Sequence, residues 1–320
     1  MKSQLRVSPP IVLFLSLIFV ASHALRPAEL YWRSLLNNAP IPKAIKVLID
    51  PGTIRNLNNN GGGDASIKEQ DQEEPDNSNC FSYTIPYCAP APPNSRPTST
   101  SLFFLPKDLK SGTKKSLHFP KSLDTSQSIL LPRHLSDEIP FSSTILDDIL
   151  KVSSIVPNSR KAKEMRRTIA ICEAPGTEGE QKSCVSSLES MIDFSITSLG
   201  KNVEAVSTDV DDQENEEQKY NVVGVKKIGN KEAVVCHKQK YPYAIFYCHK
   251  AYNIKAYKVL LVGEDENKVK AIAICHQDTS KWTPEHLAFK VLKVKPGSVP
   301  ICHFLPEDHI VWINKQKYLI

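Results

Sequence analysis

Val234-Val235-Cys236-His237, Phe246-Tyr247-Cys248-His249, Ala273-Ile274-Cys275-His276 and Pro300-Ile301-Cys302-His303 decide how the last third of this 320-residue chain is read. The four Cys-His dipeptides are separated by 10, 25 and 25 residues, and each of the first three closes an apolar run of strand type. Adjacent side chains of a strand point to opposite faces. Each dipeptide therefore sends its sulfur one way and its imidazole the other, with four thiols available for two disulfides on one side and four histidines gathered on the other. An adjacent Cys-His pair is a poor pair of ligands for one metal, and no Cys-x-x-Cys spacing occurs. The pattern is that of disulfides plus a histidine-rich metal site, not of a zinc finger. All-imidazole ligation suits copper or zinc. The competing reading, histidines that only hydrogen-bond within a core, is favoured for any single one of them and weakened by fourfold recurrence. His286 and His309 are possible extra ligands, with surface positions favoured for both.

Outward from the dipeptides, strand-like runs cover residues 232–237, 243–249, 256–262 and 268–276, and a helix is expected to begin near Thr283-Pro284-Glu285. Upstream, residues 143–153, 161–172 and 183–199 read as helices, with loops at Pro157-Asn158 and Pro175-Gly176 and a solvated acidic loop over 209–217. Helices in the first half and strands in the second specify an α+β class, here one disulfide-stabilised domain over residues 102–320.

The front of the chain is different. Residues 1–24 combine Lys2 and Arg6, an apolar core and Ser22-His23-Ala24, which is the pattern of a secretory signal peptide too short to span a membrane. Residues 25–50 hold two short amphipathic pieces broken by Pro40 and Pro42, expected to dock rather than to form a domain. Residues 51–101 are rich in Asn, Gly, acidic residues and Pro, the composition of a disordered linker. One island stands out within it, Cys80-Phe81-Ser82-Tyr83-Thr84-Ile85-Pro86-Tyr87-Cys88.

The formal net charge of +5 falls to +3 once Lys2 and Arg6 leave with the signal. Basic residues are interspersed, which argues against nucleic-acid binding. No later run is long enough for a membrane span. An even set of eight cysteines in a chain bound for the secretory pathway implies disulfides, with candidates Cys80, Cys88, Cys172, Cys184, Cys236, Cys248, Cys275 and Cys302.

The dipeptide spacing resembles the signature of the BURP-domain family. Leu102-Phe103-Phe104 with Lys107-Asp108-Leu109-Lys110, Pro140-Phe141-Ser142-Ser143 and the segment from Cys184 to Asp193 add to it. Tyr31-Trp32 and Pro40-Ile41-Pro42-Lys43 resemble the amino-terminal module of the branch typified by seed and embryo proteins. The resemblance implies a plant protein that is extracellular, in the cell wall, or vacuolar, with wall polysaccharide or a wall enzyme as partner. It also implies pairing of Cys172 with Cys184. Some members are non-enzymatic wall or seed proteins. Others are copper-dependent peptide cyclases, which implies copper on His237, His249, His276 and His303 and a core peptide in the same chain as its target. Residues 81–87 fit that description, with Phe81 at the start and Ile85-Pro86-Tyr87 placing a phenol within ring-closing reach of the Ile85 side chain. A loop stapled by Cys80 and Cys88 is the alternative for the same island.

Overall fold

The computed structural model describes residues 27–37, 39–49, 102–119, 128–139, 141–176, 180–210 and 217–315. Helices α1 (Pro27–Leu36) and α2 (Lys43–Ile49) come first, followed by strands β1 (Phe103–Phe104) and β2 (Lys114–Leu117). Next are α3 (Arg133–Glu138), α4 (Leu146–Val152), α5 (Arg160–Glu173), β3 (Lys182–Val185) and α6 (Leu188–Leu199). The carboxyl-terminal part is β4 (Val203–Val206), β5 (Asp209–Val210), β6 (Gln218–Gln239), β7 (Ile245–Gly263), β8 (Lys268–His276), α7 (Leu287–Leu292), β9 (Ile301–Phe304) and β10 (Ile310–Asn314). The class is α+β, and three disulfides tie it together among the described residues: Cys172–Cys184, Cys236–Cys248 and Cys275–Cys302. Cys80, Cys88 and the whole of residues 81–87 lie outside the described residues.

One antiparallel sheet runs β1-β9-β8-β7-β6-β10-β4, with β2 on β6, β3 on β7 and β5 on β8. Its spine is the ribbon of β6 and β7, 22 and 19 residues long. The separate expected strands 243–249 and 256–262 are thus one strand. They are joined through Asn253, which has a positive φ of 48° at a register shift: Lys231 pairs with Ile254 and Glu232 with Tyr252, leaving Asn253 unopposed. Asn tolerates the left-handed region because its short polar side chain can bond locally, and the extra residue makes a β-bulge.

That bulge sets which side chains share a face. Before it, Cys248 and Phe246 lie on one face and His249 and Ala251 on the other; after it, the parity of β7 is exchanged. Ile254 and Ala256 consequently join Ala251, Val235, Ile272, Ile274, Val311 and Ile313 in one apolar cluster. The opposite face carries two clusters. One holds Cys236, Cys248, Val234, Trp312 and the helix residues Trp32, Leu36, Ile45 and Met191. The other holds Cys275, Cys302, Phe104, Phe304, Val259 and Leu261.

The amino-terminal pieces are built into the first of these clusters. Trp32 is buried, its ring 5.4 Å from that of Trp312, and its indole N–H donates to the Ala39 carbonyl at 2.7 Å. The Tyr31 hydroxyl donates to Asp193 on α6, which also pairs with Arg133 on α3.

Three expectations need correction. Residues 183–185 are strand, not helix: Cys184 pairs with Tyr247 across β3 and β7, and α6 starts only after Ser187, whose side chain accepts from the Ser190 N–H. Asp209–Val210 is a short strand on β8, because Val210 is buried beside Val269. The helix expected near Thr283 begins at Leu287, where the His286 imidazole, instead of Thr283, caps it by accepting from the Ala288 N–H.

Replacing Asn253 by Val should cost about 1–2 kcal/mol, the penalty of forcing a β-branched residue into the left-handed region, whereas Asn253→Gly should be nearly neutral. Urea unfolding of both variants measures the difference.

Candidate metal centre on the histidine face

Alternation along the strands decides the site. Cys236 and Cys248 are register partners, as are Cys275 and Cys302, so each disulfide joins neighbouring strands on the same face of the sheet. The residue after each cysteine must then emerge on the other face. His237, His249 and His303 are buried there, at 2, 4 and 2% exposure, while His276 is half-buried.

The imidazoles meet in two stacked pairs. The rings of His237 and His249 lie 5.3 Å apart and 13° from parallel, with their Nε2 atoms 3.2 Å apart. Those of His276 and His303 lie 5.5 Å apart and 17° from parallel, with Nε2 atoms 3.4 Å apart. Each pair sits within the electrostatic reach of the other. Among the described residues, no three His, Cys, Asp or Glu side chains converge as one metal donor set; the grouping is pairwise.

Burial keeps these rings neutral. Desolvation pulls His249 down to about 4, partly offset by Glu180, and His276 down to about 3 with help from His249 and His286. His237 and His303 are pushed well below the usual imidazole range, by burial first and by their histidine neighbours second. A neutral imidazole is the metal-binding form. Two nitrogens on one tetrahedral ion at about 2.0–2.1 Å stand roughly 3.3 Å apart, which matches the Nε2 separation in both pairs. The donors therefore fit a metal that accepts imidazole, in protonation state and in spacing.

Four further groups stand at the site: His309 and His286, for which the sequence reading favoured the surface over a place among the ligands, and Glu180 and Phe103, which it gave no place there. His309, expected at the surface, is buried with its Nδ1 3.1 Å from that of His237. The signal available was its position at the head of strand β10, whose first four residues are apolar and buried. His286 is half-buried between Trp282, 4.5 Å between ring centroids, and Phe103, at 5.9 Å. Since its Nδ1 accepts from a backbone N–H, a neutral His286 carries its proton on Nε2 and offers a donor there. Glu180 accepts from the Tyr247 hydroxyl at 3.1 Å and lies 4.0 Å from His249 Nδ1. The Cys172–Cys184 bridge fastens β3, which begins two residues after Glu180, to α5. Phe103 enters as the register partner of His303, their rings 6.2 Å apart.

Comparison with known proteins decides the family. The BURP domain profile matches residues 102–314. This chain belongs to the BURP-domain family. It is 49% identical over 220 residues to BURP domain protein RD22 of Arabidopsis thaliana, covering 68% of this chain and 56% of that protein. BURP domain-containing protein 5 of Oryza sativa subsp. japonica is 37% identical over 299 residues, covering 92% of this chain and 89% of its own length. BURP domain protein USPL1 of Arabidopsis thaliana is 37% identical over 233 residues. The chain spans little more than half the length of RD22. Among the described residues, no helix is long and apolar enough to cross a membrane.

The neutral histidines make metal-free protein acid-sensitive. The folded state holds His249 near 4 and His276 near 3, against about 6.5 in an unfolded chain. From pH 6.5 downward the unfolded chain binds protons that the folded one refuses, so stability is lost as pH falls through this window. The slope is up to about 1.4 kcal/mol per pH unit for each such group. Urea titrations at pH 7, 6 and 5 with a chelator present should show that decline, shallower in a His249→Gln, His276→Gln double variant. A flat profile would contradict it.

Proposed function

We propose that this BURP-domain protein travels the secretory pathway and binds copper through the paired imidazoles of His237 with His249 and His276 with His303. The observation that supports this is the pairing of four neutral histidines, two and two, on one face of a sheet whose other face is cross-linked. Copper, when bound, supplies one-electron redox chemistry that zinc lacks.

The reaction that such a centre would serve is oxidative coupling within residues 81–87. The step breaks the Tyr87 phenol O–H and one C–H of the Ile85 side chain and forms an oxygen–carbon bond. Two electrons and two protons pass to dioxygen, which becomes peroxide. The chain's own residues contribute placement. Phe103 ties the linker's carboxyl end to β9 opposite His303. Tyr87 precedes Phe103 by 16 residues, a tether that spans at most about 50–58 Å when fully extended. His286 offers a donor and Trp282 an aromatic face beside His276, their rings 4.9 Å apart. A second reading, a non-enzymatic seed, vacuolar or wall protein in which the site is structural, is favoured by the deep burial of His237, His249 and His303.

One experiment separates the readings. Purified protein is incubated with copper under air, reduced and digested, and the peptide carrying residues 81–87 is weighed. Loss of two hydrogens, absent in Tyr87→Phe, is the outcome expected of the cyclase. An unchanged mass in protein that holds copper selects the non-enzymatic reading. His249→Ala and His276→Ala should each lower copper stoichiometry; full copper content in both would refute the proposed ligands.

A further inference from the structure

We infer that the segment 27–49 is a non-covalent subunit of the domain, which stays seated on the body of residues 102–315 when the chain is cut between them. The inference is independent of the copper-binding reading, and its failure would leave that reading untouched.

The two helices of the segment cannot hold their shape alone. Helix α1 has ten residues and α2 seven, short of the roughly 12–15 at which isolated helices are even marginal in water. Yet Trp32, Leu36, Ile45 and Leu48 are almost completely buried. What covers them belongs to the body: Met191 and Ile192 of α6, Val203 of β4, Val234 of β6, Phe246 of β7 and Trp312 of β10 lie in the same cluster. Lifting the segment off would bare both sets of side chains at once, and an exposed apolar patch of that kind drives association.

The segment is also held together as a unit and clamped to the body through both helices. Within it, the Trp32 indole N–H donates to the Ala39 carbonyl at 2.7 Å and folds the connection back on α1. From α1, the Tyr31 hydroxyl donates to Asp193, and the Arg133 guanidinium lies 5.1 Å over the Tyr31 ring. From α2, Lys43 Nζ stands 3.6 Å from Glu307 and 4.0 Å from Asp209. Near the end of α2, the Leu48 carbonyl accepts from the Leu130 N–H at 3.0 Å, which satisfies an acceptor that a helix terminus leaves free.

All of these contacts are independent of the covalent link, which is residues 50–101. The three described disulfides each join two residues of the body. Hydrolysis of a peptide bond in the link therefore removes the tether and spares every contact above; an intramolecular association becomes an intermolecular one. Release of any product made within residues 81–87 requires such hydrolysis on both sides. The groove around Trp312 stays filled in the two-piece protein that remains.

The test replaces Asn58-Asn59-Asn60-Gly61-Gly62-Gly63 of the full-length chain by the recognition site of a sequence-specific protease. After cutting, gel filtration without denaturant at about 1 μM protein should keep the small piece with the body. Near-ultraviolet circular dichroism, which reads the packing of Trp32 on Trp312, should be unchanged. Separation of the small piece, or precipitation of the body on cutting, would overturn the inference. Two variants locate the seat. Trp32→Ala should lose the small piece on cutting, and its retention by a folded body would refute the groove as the site. Tyr31→Phe keeps the ring and removes the bond to Asp193; it should speed dissociation of the piece on dilution about 10-fold, and an unchanged rate would count against the seat in the same way.

Discussion

The cross-strand register of Cys236 with Cys248 and of Cys275 with Cys302 is the constraint from which the rest of the domain can be derived. Each bridge pins two strands at one level, and closing loops with sequence separations of 12 and 27 residues stabilises the fold by about 3 kcal/mol apiece on the chain-entropy account. Their geometric consequence matters more than that energy. A strand that has committed its cysteine to one face has no freedom over the next residue. A one-residue slip of any of these strands would put a thiol among the histidines and an imidazole in one of the two apolar clusters that hold the bridges. The covalent bond forbids the slip.

Register alone does not bring the two histidine pairs together. They sit on different strand pairs, β6 with β7 and β8 with β9, and among the described residues β7 is the one strand paired with both β6 and β8. Were β7 regular from Cys248 to Ile254, those two residues would share a face, and His276, paired with Ile254, would lie on the cysteine side. The unopposed Asn253 reverses the parity between the two bridges. The histidine face therefore depends on the bulge at Asn253, where both Asn253 and Lys231 across the ribbon take a positive φ, 23 positions from the nearest downstream histidine of the motif.

This explains how much of the site could be read in the amino-acid sequence. The α+β class follows from segment types, and the opposed faces of each Cys-His dipeptide follow from the period of a strand. Placing all four histidines on one face does not follow from alternation, because the argument treats each strand separately and bulges have a weak local signature. Nothing in Tyr252-Asn253-Ile254 distinguishes a bulge from a turn, and the sequence reading accordingly broke β7 in two. His309 escaped for a similar reason. A histidine after Glu307-Asp308 and before an apolar run resembles a surface residue at a strand's edge, and only the pairing of β10 with β6 carries it beneath His237. Residues 27–49 were legible as amphipathic pieces, yet their docking partner Trp312 lies some 280 positions away.

The same arrangement bears on why a chain would keep so many imidazoles in an apolar interior. Burying a polar group without a partner costs on the order of 1–3 kcal/mol, and each of these rings meets that demand through another ring or a nearby carbonyl. Purely structural imidazoles would be satisfied by any complementary set of tautomers. At His303 the Phe304 carbonyl holds the proton on Nδ1 and leaves Nε2 bare, whereas the neighbour of His237 Nδ1 is His309, a ring that can donate or accept. Each pair closes with one N–H and one lone pair across gaps of 3.2 and 3.4 Å. Any hydrogen bond between two neutral imidazoles needs one such lone pair, so the feature specific to metal binding is the release of the bridging proton from a pair when an ion enters.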